Sequence, residues 1–158
     1  MRAFVAIDVE PDRAPDAAPC APAHLTVQFL GDVSPEQLDA ILPALREAAA
    51  GFPAFDLTLA GVGAFPSADR PRVVWVGATD GADRARALAR CVAEALTPLG
   101  FPPDAGEFVP HQTLFRVRSP RDRLRATALL GGDGLPPPRR LRVAVSYTHL
   151  TLPTILLV

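Results

Sequence analysis

Hydrophobic and polar residues alternate with a period of two in six short segments, and apolar residues recur with a helical period in three others. Alternation is typical of β-strands, whereas apolar positions three and four residues apart indicate amphipathic helices. Strands interspersed with only three helices, without strict alternation, predict an α+β fold with antiparallel sheets. The predicted strands span residues 2–8, 23–30, 54–64, 72–79, 107–117 and 139–145.

Start and stop signals bound the three predicted helices. Ser34-Pro35 and Ser119-Pro120 each combine a capping serine with a proline suited to the first turn, and Gln37 occupies the capping-box position of the first helix. The second helix opens after Asp80-Gly81. Because proline removes a backbone donor, Pro43 predicts a kink or an early end in the first helix. The Pro- and Ala-rich residues 9–22 predict a loop.

One unit of the chain occurs twice. The sequence His24-Leu25-Thr26 is followed by the helix start at Ser34, ten residues after the histidine. The sequence His111-Gln112-Thr113 is followed by the helix start at Ser119, eight residues after the histidine. A repeated strand–turn–helix unit predicts two pseudo-symmetric lobes that face each other across a cleft.

Each copy of the repeat places an imidazole beside a hydroxyl, because residues i and i+2 of a strand share a face. Two such pairs across a cleft supply two proton-transfer groups and two hydrogen-bond donors, which suits in-line displacement at phosphorus. A single His-x-Thr is a weak signal, since most strand histidines are structural; the matched duplication is what favours a site. The same parity predicts that Phe29 packs in the core and that Arg116 points away from His111 unless the strand contains a bulge or ends there. For Phe65 and Trp75, core positions are favoured over stacking on a base, whereas Phe4 fits either the cleft or the core.

Composition and charge narrow the class of protein. With 158 residues and 49% hydrophobic residues, the chain fits one domain with a core. The net charge is −7 over residues 1–110 and +6 over residues 111–142. The basic segment indicates attraction for an anion such as phosphate, or else a solvated helix face. Cys20 and Cys91 form neither a disulfide framework nor a metal motif, and no apolar run reaches the ~20 residues of a membrane span. We therefore expect a cytoplasmic protein without a signal peptide.

With these motifs the sequence resembles a known family, the two-histidine (2H) phosphoesterases. Within this family it resembles the LigT-like RNA 2′,3′-cyclic phosphodiesterases, also called 2′-5′ RNA ligases. The resemblance covers roughly residues 1–143 and implies a bilobal α+β fold with antiparallel sheets around a central cleft. It implies hydrolysis of a terminal 2′,3′-cyclic phosphate to a 2′-phosphate without a metal or other cofactor, and in some members 2′-5′ ligation. The matching segments are residues 2–8, 24–31, 63–66, 71–77 and 110–114.

The resemblance also assigns roles to residues of this chain. His24 and His111 are the catalytic pair, with His111 as the base and His24 as the acid. Thr26 and Thr113 bind phosphate, and Arg116 occupies a basic position that is common after the second motif. RNA ends or small cyclic-phosphate nucleotides are the expected partners of a monomer that binds no membrane. A non-catalytic RNA- or nucleotide-binding module on the same fold, and a 2H enzyme acting on a small cyclic nucleotide, remain alternatives.

The carboxyl-terminal segment differs in composition from the rest of the chain. Residues 144–158 lack the Arg- and Pro-rich character of the body and resemble the translation of a transposon-end adapter used in sequencing libraries. We therefore expect one bilobal domain over residues 1–143, with the last strands of the family truncated and a non-native tail after them. A genuine strand in the tail is the alternative. His149-Leu150-Thr151, a third His-x-Thr, is accordingly excluded from the site.

Overall fold

The fold is known from a computed structural model that describes residues 2–8, 24–143 and 155–156. These residues form seven β-strands, three α-helices and the short 3₁₀ helix Thr97–Leu99. In chain order the strands and α-helices are β1 Arg2–Asp8, β2 His24–Asp32, α1 Pro35–Ala50, β3 Phe55–Phe65, β4 Val73–Ala78, α2 Ala82–Leu96, β5 His111–Arg116, α3 Pro120–Leu130, β6 Arg139–Val143 and β7 Ile155–Leu156.

Two sheets divide the chain into two lobes. One sheet has the strand order β2-β1-β7, and the other has the order β5-β4-β3-β6. Pairing is antiparallel throughout except between β1 and β7, which run parallel. The strands that carry the two His-x-Thr motifs, β2 and β5, are edge strands of their sheets and contact each other. The α+β class and the antiparallel sheets are therefore confirmed, and the two motifs meet where the lobes join.

Both predicted Ser-Pro helix starts are present. Ser34 caps α1 by accepting from the backbone N–H of Gln37, and Ser119 caps α3 by accepting from that of Asp122. Each helix also has the reciprocal bond of a capping box, from the serine N–H to the side chain of Gln37 or Asp122. The Arg118 N–H and then the Ser119 side chain, both bonded to Asp122, lower the pKa of its carboxyl group. Such caps contribute about 1 kcal/mol each and fix where the chain turns after β2 and β5.

Of the two outcomes predicted for Pro43, a kink or an early end of α1, the early end is wrong. The helix continues from Pro35 to Ala50 with Pro43 inside it, and Gly51 provides the carboxyl-terminal cap. Pro43 and Asp39, whose carbonyl loses its helical partner, are both exposed, so water can satisfy that carbonyl. The buried face of α1, formed by Ile41 and Leu45, keeps the helix on the core.

A continuous core joins the two lobes. Ile7 and Leu25 from the first sheet pack with Leu57 and Val76 from the second, and with Leu88 from α2. A second cluster packs α1 against α2 and the first sheet. Because α2 belongs to both clusters, it holds one wall of the space between the lobes in a fixed position.

One predicted strand is much shorter in the structure, and other predicted segments lie outside the described residues. The strand predicted over residues 107–117 is limited to β5, and residues 107–110 form irregular backbone before it. The predicted loop 9–22, residues 144–154 and 157–158 of the predicted tail, and with them His149, lie outside the described residues, while Ile155–Leu156 pair with β1. In the part of the chain that the structure describes, no helix is both long and apolar enough to span a bilayer.

Candidate active site

A β-bulge follows the first His-x-Thr motif. Ala6 faces Thr26 and Val5 faces Gln28, so Val27 is an extra residue in β2. A bulge of this kind reverses the alternation of the residues after it. Gln28 is consequently 3% exposed and Phe29 is 59% exposed, on the side of the cleft. The prediction that Phe29 packs in the core is therefore wrong.

The second motif has a bulge at the same place. Val74 faces Phe115 and Trp75 faces Thr113, which leaves Leu114 as the extra residue of β5. The shift brings Arg116 to the same side as His111 and Thr113. This bulge is the condition under which Arg116 was expected to reach the site.

The predicted site residues all line one cavity between the lobes. It has a volume of about 950 Å³. Its walls include all five predicted site residues, three from β5 and two from β2: His24, Thr26, His111, Thr113 and Arg116. The two histidines and Thr26 are half-buried, whereas Thr113 and Arg116 are exposed. The repeat thus brings two imidazoles and two hydroxyls into one space, as the sequence predicted.

The imidazole of His111 is held on several sides. Its Nδ1 lies 2.7 Å from the carbonyl oxygen of Val109. A carbonyl oxygen can only accept, so this contact requires Nδ1 to carry the proton and leaves Nε2 as the acceptor in the neutral ring. Phe65 meets the ring edge-on at 5.0 Å between centroids, and Trp75 packs against it at 5.6 Å. These contacts fix both the orientation and the tautomer of His111.

An aromatic side chain also packs against His24. The ring of Phe4 lies 5.0 Å from the imidazole and 6.1 Å from Phe29, measured between centroids. Phe4 and Phe29 line the cavity, as does Phe65 from the other lobe. The core position favoured for Phe65 is therefore wrong. These three rings give the cavity an apolar lining next to its polar groups.

The remaining polar groups of the two motifs are available to a ligand. Among the described residues, neither threonine hydroxyl and no group of the Arg116 side chain has a hydrogen-bond or ion-pair partner. Within the same residues, no three His, Cys, Asp or Glu side chains are grouped so that they could hold a metal ion. The imidazoles of the two motifs can transfer protons, and their hydroxyls together with Arg116 can bind an anion.

Sequence reasoning missed a further wall of the cavity. Arg86, Ala89, Arg90 and Ala93 of α2 line it, and the 103–107 segment lies there as well. Gln28 fixes the start of this segment, because its side-chain amide donates to the carbonyls of Phe101 and Pro102 at 3.0 and 3.1 Å. The spacing i, i+3, i+4, i+7 on α2 indicates a single helix face, but nothing in the sequence says that this face borders the cleft.

The family model of the 2′-5′ RNA ligase superfamily matches residues 5–152. The chain belongs to this superfamily. The resemblance implied a bilobal α+β fold for this chain. The geometry described above agrees, with both His-x-Thr motifs at the junction of the lobes. The resemblance drawn from the motifs is confirmed.

Individual members of the superfamily extend the comparison. The chain is 44% identical over 99 residues to the RNA 2′,3′-cyclic phosphodiesterase of Aeropyrum pernix, covering 63% of this chain and 55% of that protein. It is 31% identical over 147 residues to the RNA 2′,3′-cyclic phosphodiesterase of Methanothermobacter thermautotrophicus, covering 83% and 79%. The first two curated relatives are thus matched over only about half of their length.

A solved structure of the superfamily shares the fold. Apo LigT of E. coli superposes with a TM-score of 0.60 and 28% identity over 93% of this chain and 88% of that one. Another LigT structure is a complex with 3′-AMP, and it superposes with a TM-score of 0.55 and 28% identity over 80% of this chain and 69% of that one.

Proposed function

We propose that this chain hydrolyses the 2′,3′-cyclic phosphate at RNA 3′ ends to a 2′-phosphate, using His24 and His111 and no metal. The observation that carries the proposal is the convergence of both His-x-Thr pairs in one cavity. Two relatives named RNA 2′,3′-cyclic phosphodiesterase, and the nucleotide 3′-AMP in a LigT structure, support the substrate class.

In the proposed reaction His111 is the general base. The bond between its Nδ1 and the Val109 carbonyl supports this role, since it leaves the Nε2 lone pair to accept a proton. Water attacks phosphorus, its proton passes to Nε2, and a new P–O bond forms. The ring contacts from Phe65 and Trp75 hold the imidazole in place during this step.

His24 is the proposed general acid. As the bond between phosphorus and O3′ breaks, protonated His24 donates its proton to O3′, and the phosphate remains on O2′. The hydroxyls of Thr26 and Thr113 donate to the non-bridging oxygens, and Arg116 balances the charge that accumulates there. With an RNA 5′-hydroxyl in place of water, the same steps form a 2′-5′ linkage, which is the ligation that the superfamily's name describes.

The test measures turnover of a short RNA that ends in a 2′,3′-cyclic phosphate, with EDTA present. Wild type is compared with His24→Ala and His111→Ala, and circular dichroism checks that each variant is folded. We expect a 2′-phosphate product and a loss of about 10²–10⁴ in kcat for each variant, which is the usual contribution of one proton-transfer group. His149→Ala is the matched control, because it removes the third His-x-Thr, and we expect wild-type turnover from it.

Each of the other outcomes has a clear meaning. A folded wild type that binds the RNA end without turnover would support the non-catalytic binding module instead. Turnover that disappears with EDTA and returns with a divalent ion would contradict the metal-free mechanism. Loss of turnover in His149→Ala would show that the third motif was wrongly excluded from the site.

A further inference from the structure

The cavity is larger than its catalytic groups require. At about 950 Å³ it lies near the upper end of the ~300–1,000 Å³ that small-molecule sites occupy. The two motifs and their aromatic neighbours account for only some of its lining. Residues of α2 and of the 103–107 segment line it as well, and the proposed hydrolysis uses none of them.

The α2 wall of the cavity carries two cations. Arg86, Ala89, Arg90 and Ala93 share one helix face, and all four residues line the cavity. Because three arginines and two carboxylates line the whole cavity, the lining has a surplus of one positive charge while both histidines are neutral.

The two arginines of α2 differ in their partners. Arg86 is engaged, with its Nη1 3.0 Å from a carboxylate oxygen of Asp83 and its Nε 3.4 Å from one of Glu107. Arg90 is exposed to the cavity and pairs with no carboxylate among the described residues. Arg90 is therefore the cation of this wall that can bind an anionic ligand, whereas Arg86 mainly holds the 103–107 segment against α2.

The proposed reaction fixes which way the substrate extends. In an in-line displacement, water attacks from the side of its base, His111, and the ribose lies on the side of the acid, His24. His24 belongs to β2, and α2 packs against β2. On this geometry the nucleoside lies on the β2 side of the cavity, where Phe4 and Phe29 are available to its base. The α2 wall is then the part of the lining that is left for the strand on the 5′ side of that nucleoside.

We propose that Arg90 binds the phosphodiester that joins the terminal nucleotide to the one before it. Arginine suits this role, because its planar guanidinium makes two parallel hydrogen bonds to phosphate oxygens. The preferred substrate is then an RNA strand with a cyclic phosphate end, and a mononucleoside 2′,3′-cyclic phosphate without a 5′-phosphate binds more weakly. This inference rests on the proposed function and adds a second anion site to it.

The test compares two ligands by calorimetry, so that it does not depend on turnover. One is a dinucleotide ending in a 2′-phosphate, and the other is the nucleoside 2′-phosphate alone. We expect Arg90→Ala to weaken dinucleotide binding about tenfold, as for loss of one charged hydrogen-bonded contact, and to change nucleoside 2′-phosphate binding less than about twofold. The slope of log K against log salt for the dinucleotide falls by about 0.7 in this variant, as for one lost phosphate contact to a single strand.

Arg84→Ala is the matched control, because Arg84 is an exposed arginine of α2 that does not line the cavity. It removes the same charge from the same helix, and we expect both ligands to bind as in wild type. Equal weakening of the two ligands by Arg90→Ala, or the same loss in Arg84→Ala, would overturn the proposal.

Turnover of the same variants separates this inference from the proposed function. If Arg90→Ala selectively loses dinucleotide binding while wild type shows no turnover, the result would support the second anion site and contradict the hydrolysis. If Arg90→Ala turns over RNA as wild type does, the second anion site would be overturned and the hydrolysis would stand. Failure of wild type to bind either ligand would overturn both.

Discussion

Replacement of Gly63 by alanine tests how His111 is held. A Cβ atom built on Gly63 overlaps the Cη2 and Cζ2 atoms of the Trp75 indole. The indole has little room to retreat, because Phe65 lies 5.1 Å from it and His111 lies 5.6 Å from it, measured between centroids. A Cβ on Gly77 would likewise lie 2.8 Å from Cζ3 of the same ring, so the indole lies close to the backbone of both glycines. The methyl group must therefore push the indole toward the imidazole or distort β3.

The expected cost follows from the overlap. Extra atoms in a well-packed site cost about 1–3 kcal/mol. At ~2 kcal/mol, a domain of this length loses roughly 4–8 °C in Tm. Since misplacement of a catalytic group by 1 Å can reduce the rate about 10²-fold, we expect kcat to fall by about one to two orders of magnitude.

The assay combines thermal unfolding with turnover of the cyclic-phosphate RNA, in Gly63→Ala, Trp75→Phe and the double variant. Phenylalanine lacks the atoms that the new methyl group overlaps, so the second substitution relieves the first. We expect the double variant to be more stable than the sum of the single effects predicts, by at least about 1 kcal/mol. Gly51→Ala is the control, because Gly51 has an ordinary helical φ and open space for a Cβ, and we expect its Tm to stay within about 2 °C of wild type.

Additive effects within about 0.5 kcal/mol would contradict the reasoning, since independent sites behave that way. A Gly63→Ala variant with wild-type Tm and kcat would do so more directly. It would show that the indole moves without cost and does not hold His111.

Three further predictions concern the walls and the second repeat. Gln28→Leu leaves the carbonyls of residues 101–102 without their buried donor, so we expect urea unfolding to show a decrease of about 2–4 kcal/mol in the free energy of unfolding. A decrease under about 0.5 kcal/mol would mean that Gln28 does not hold this wall. Because its pKa is lowered in the folded protein, the Asp122 carboxylate stabilises the fold fully above its ordinary pKa of 3.8, and this stabilisation is lost as the pH falls below that value. The difference in Tm between wild type and Asp122→Asn should therefore shrink in acid. A constant difference, or the same trend in Asp133→Asn, would refute this account. Phe29→Ala removes a ring that is 59% exposed, so we expect little change in Tm but a several-fold rise in KM for RNA, and an unchanged KM would exclude contact with substrate.

Local signals made most of the fold predictable. The Ser-Pro starts of α1 and α3 satisfy backbone donors within one turn, and the structure has them where the sequence places them. The end of α1 at Pro43 was predicted wrongly because the free-energy cost of a proline in a helix depends on whether the carbonyl it leaves unpaired is exposed to water. That exposure depends on how the helix packs. The strand predicted over residues 107–117 was too long because alternation does not show which residues have a partner strand. Of these residues, only those of β5 form a ladder with β4.

The motif residues of the candidate site were predictable for a different reason. His24 with Thr26, and His111 with Thr113, stand two positions apart before any irregularity, so simple parity places each pair correctly. Phe29 lies beyond the bulge at Val27, and a bulge depends on the register with the neighbouring strand. Arg90 lies on a helix whose place beside the cleft results from the packing of both lobes. Neither relation is encoded in adjacent residues.

The two bulges also explain how a repeated unit forms an asymmetric site. In each copy the extra residue comes directly after the threonine, so the fifth residue after each histidine turns toward the cavity. That position is Phe29 in the first copy and Arg116 in the second. The backbone symmetry thus provides two equivalent proton-transfer groups, while this one position makes the β2 side apolar and the β5 side cationic. A cyclic phosphate with its nucleoside has the same division between an anionic and an aromatic part. Under the proposed function, the fifth residue after each histidine would therefore break the pseudo-symmetry and orient the substrate.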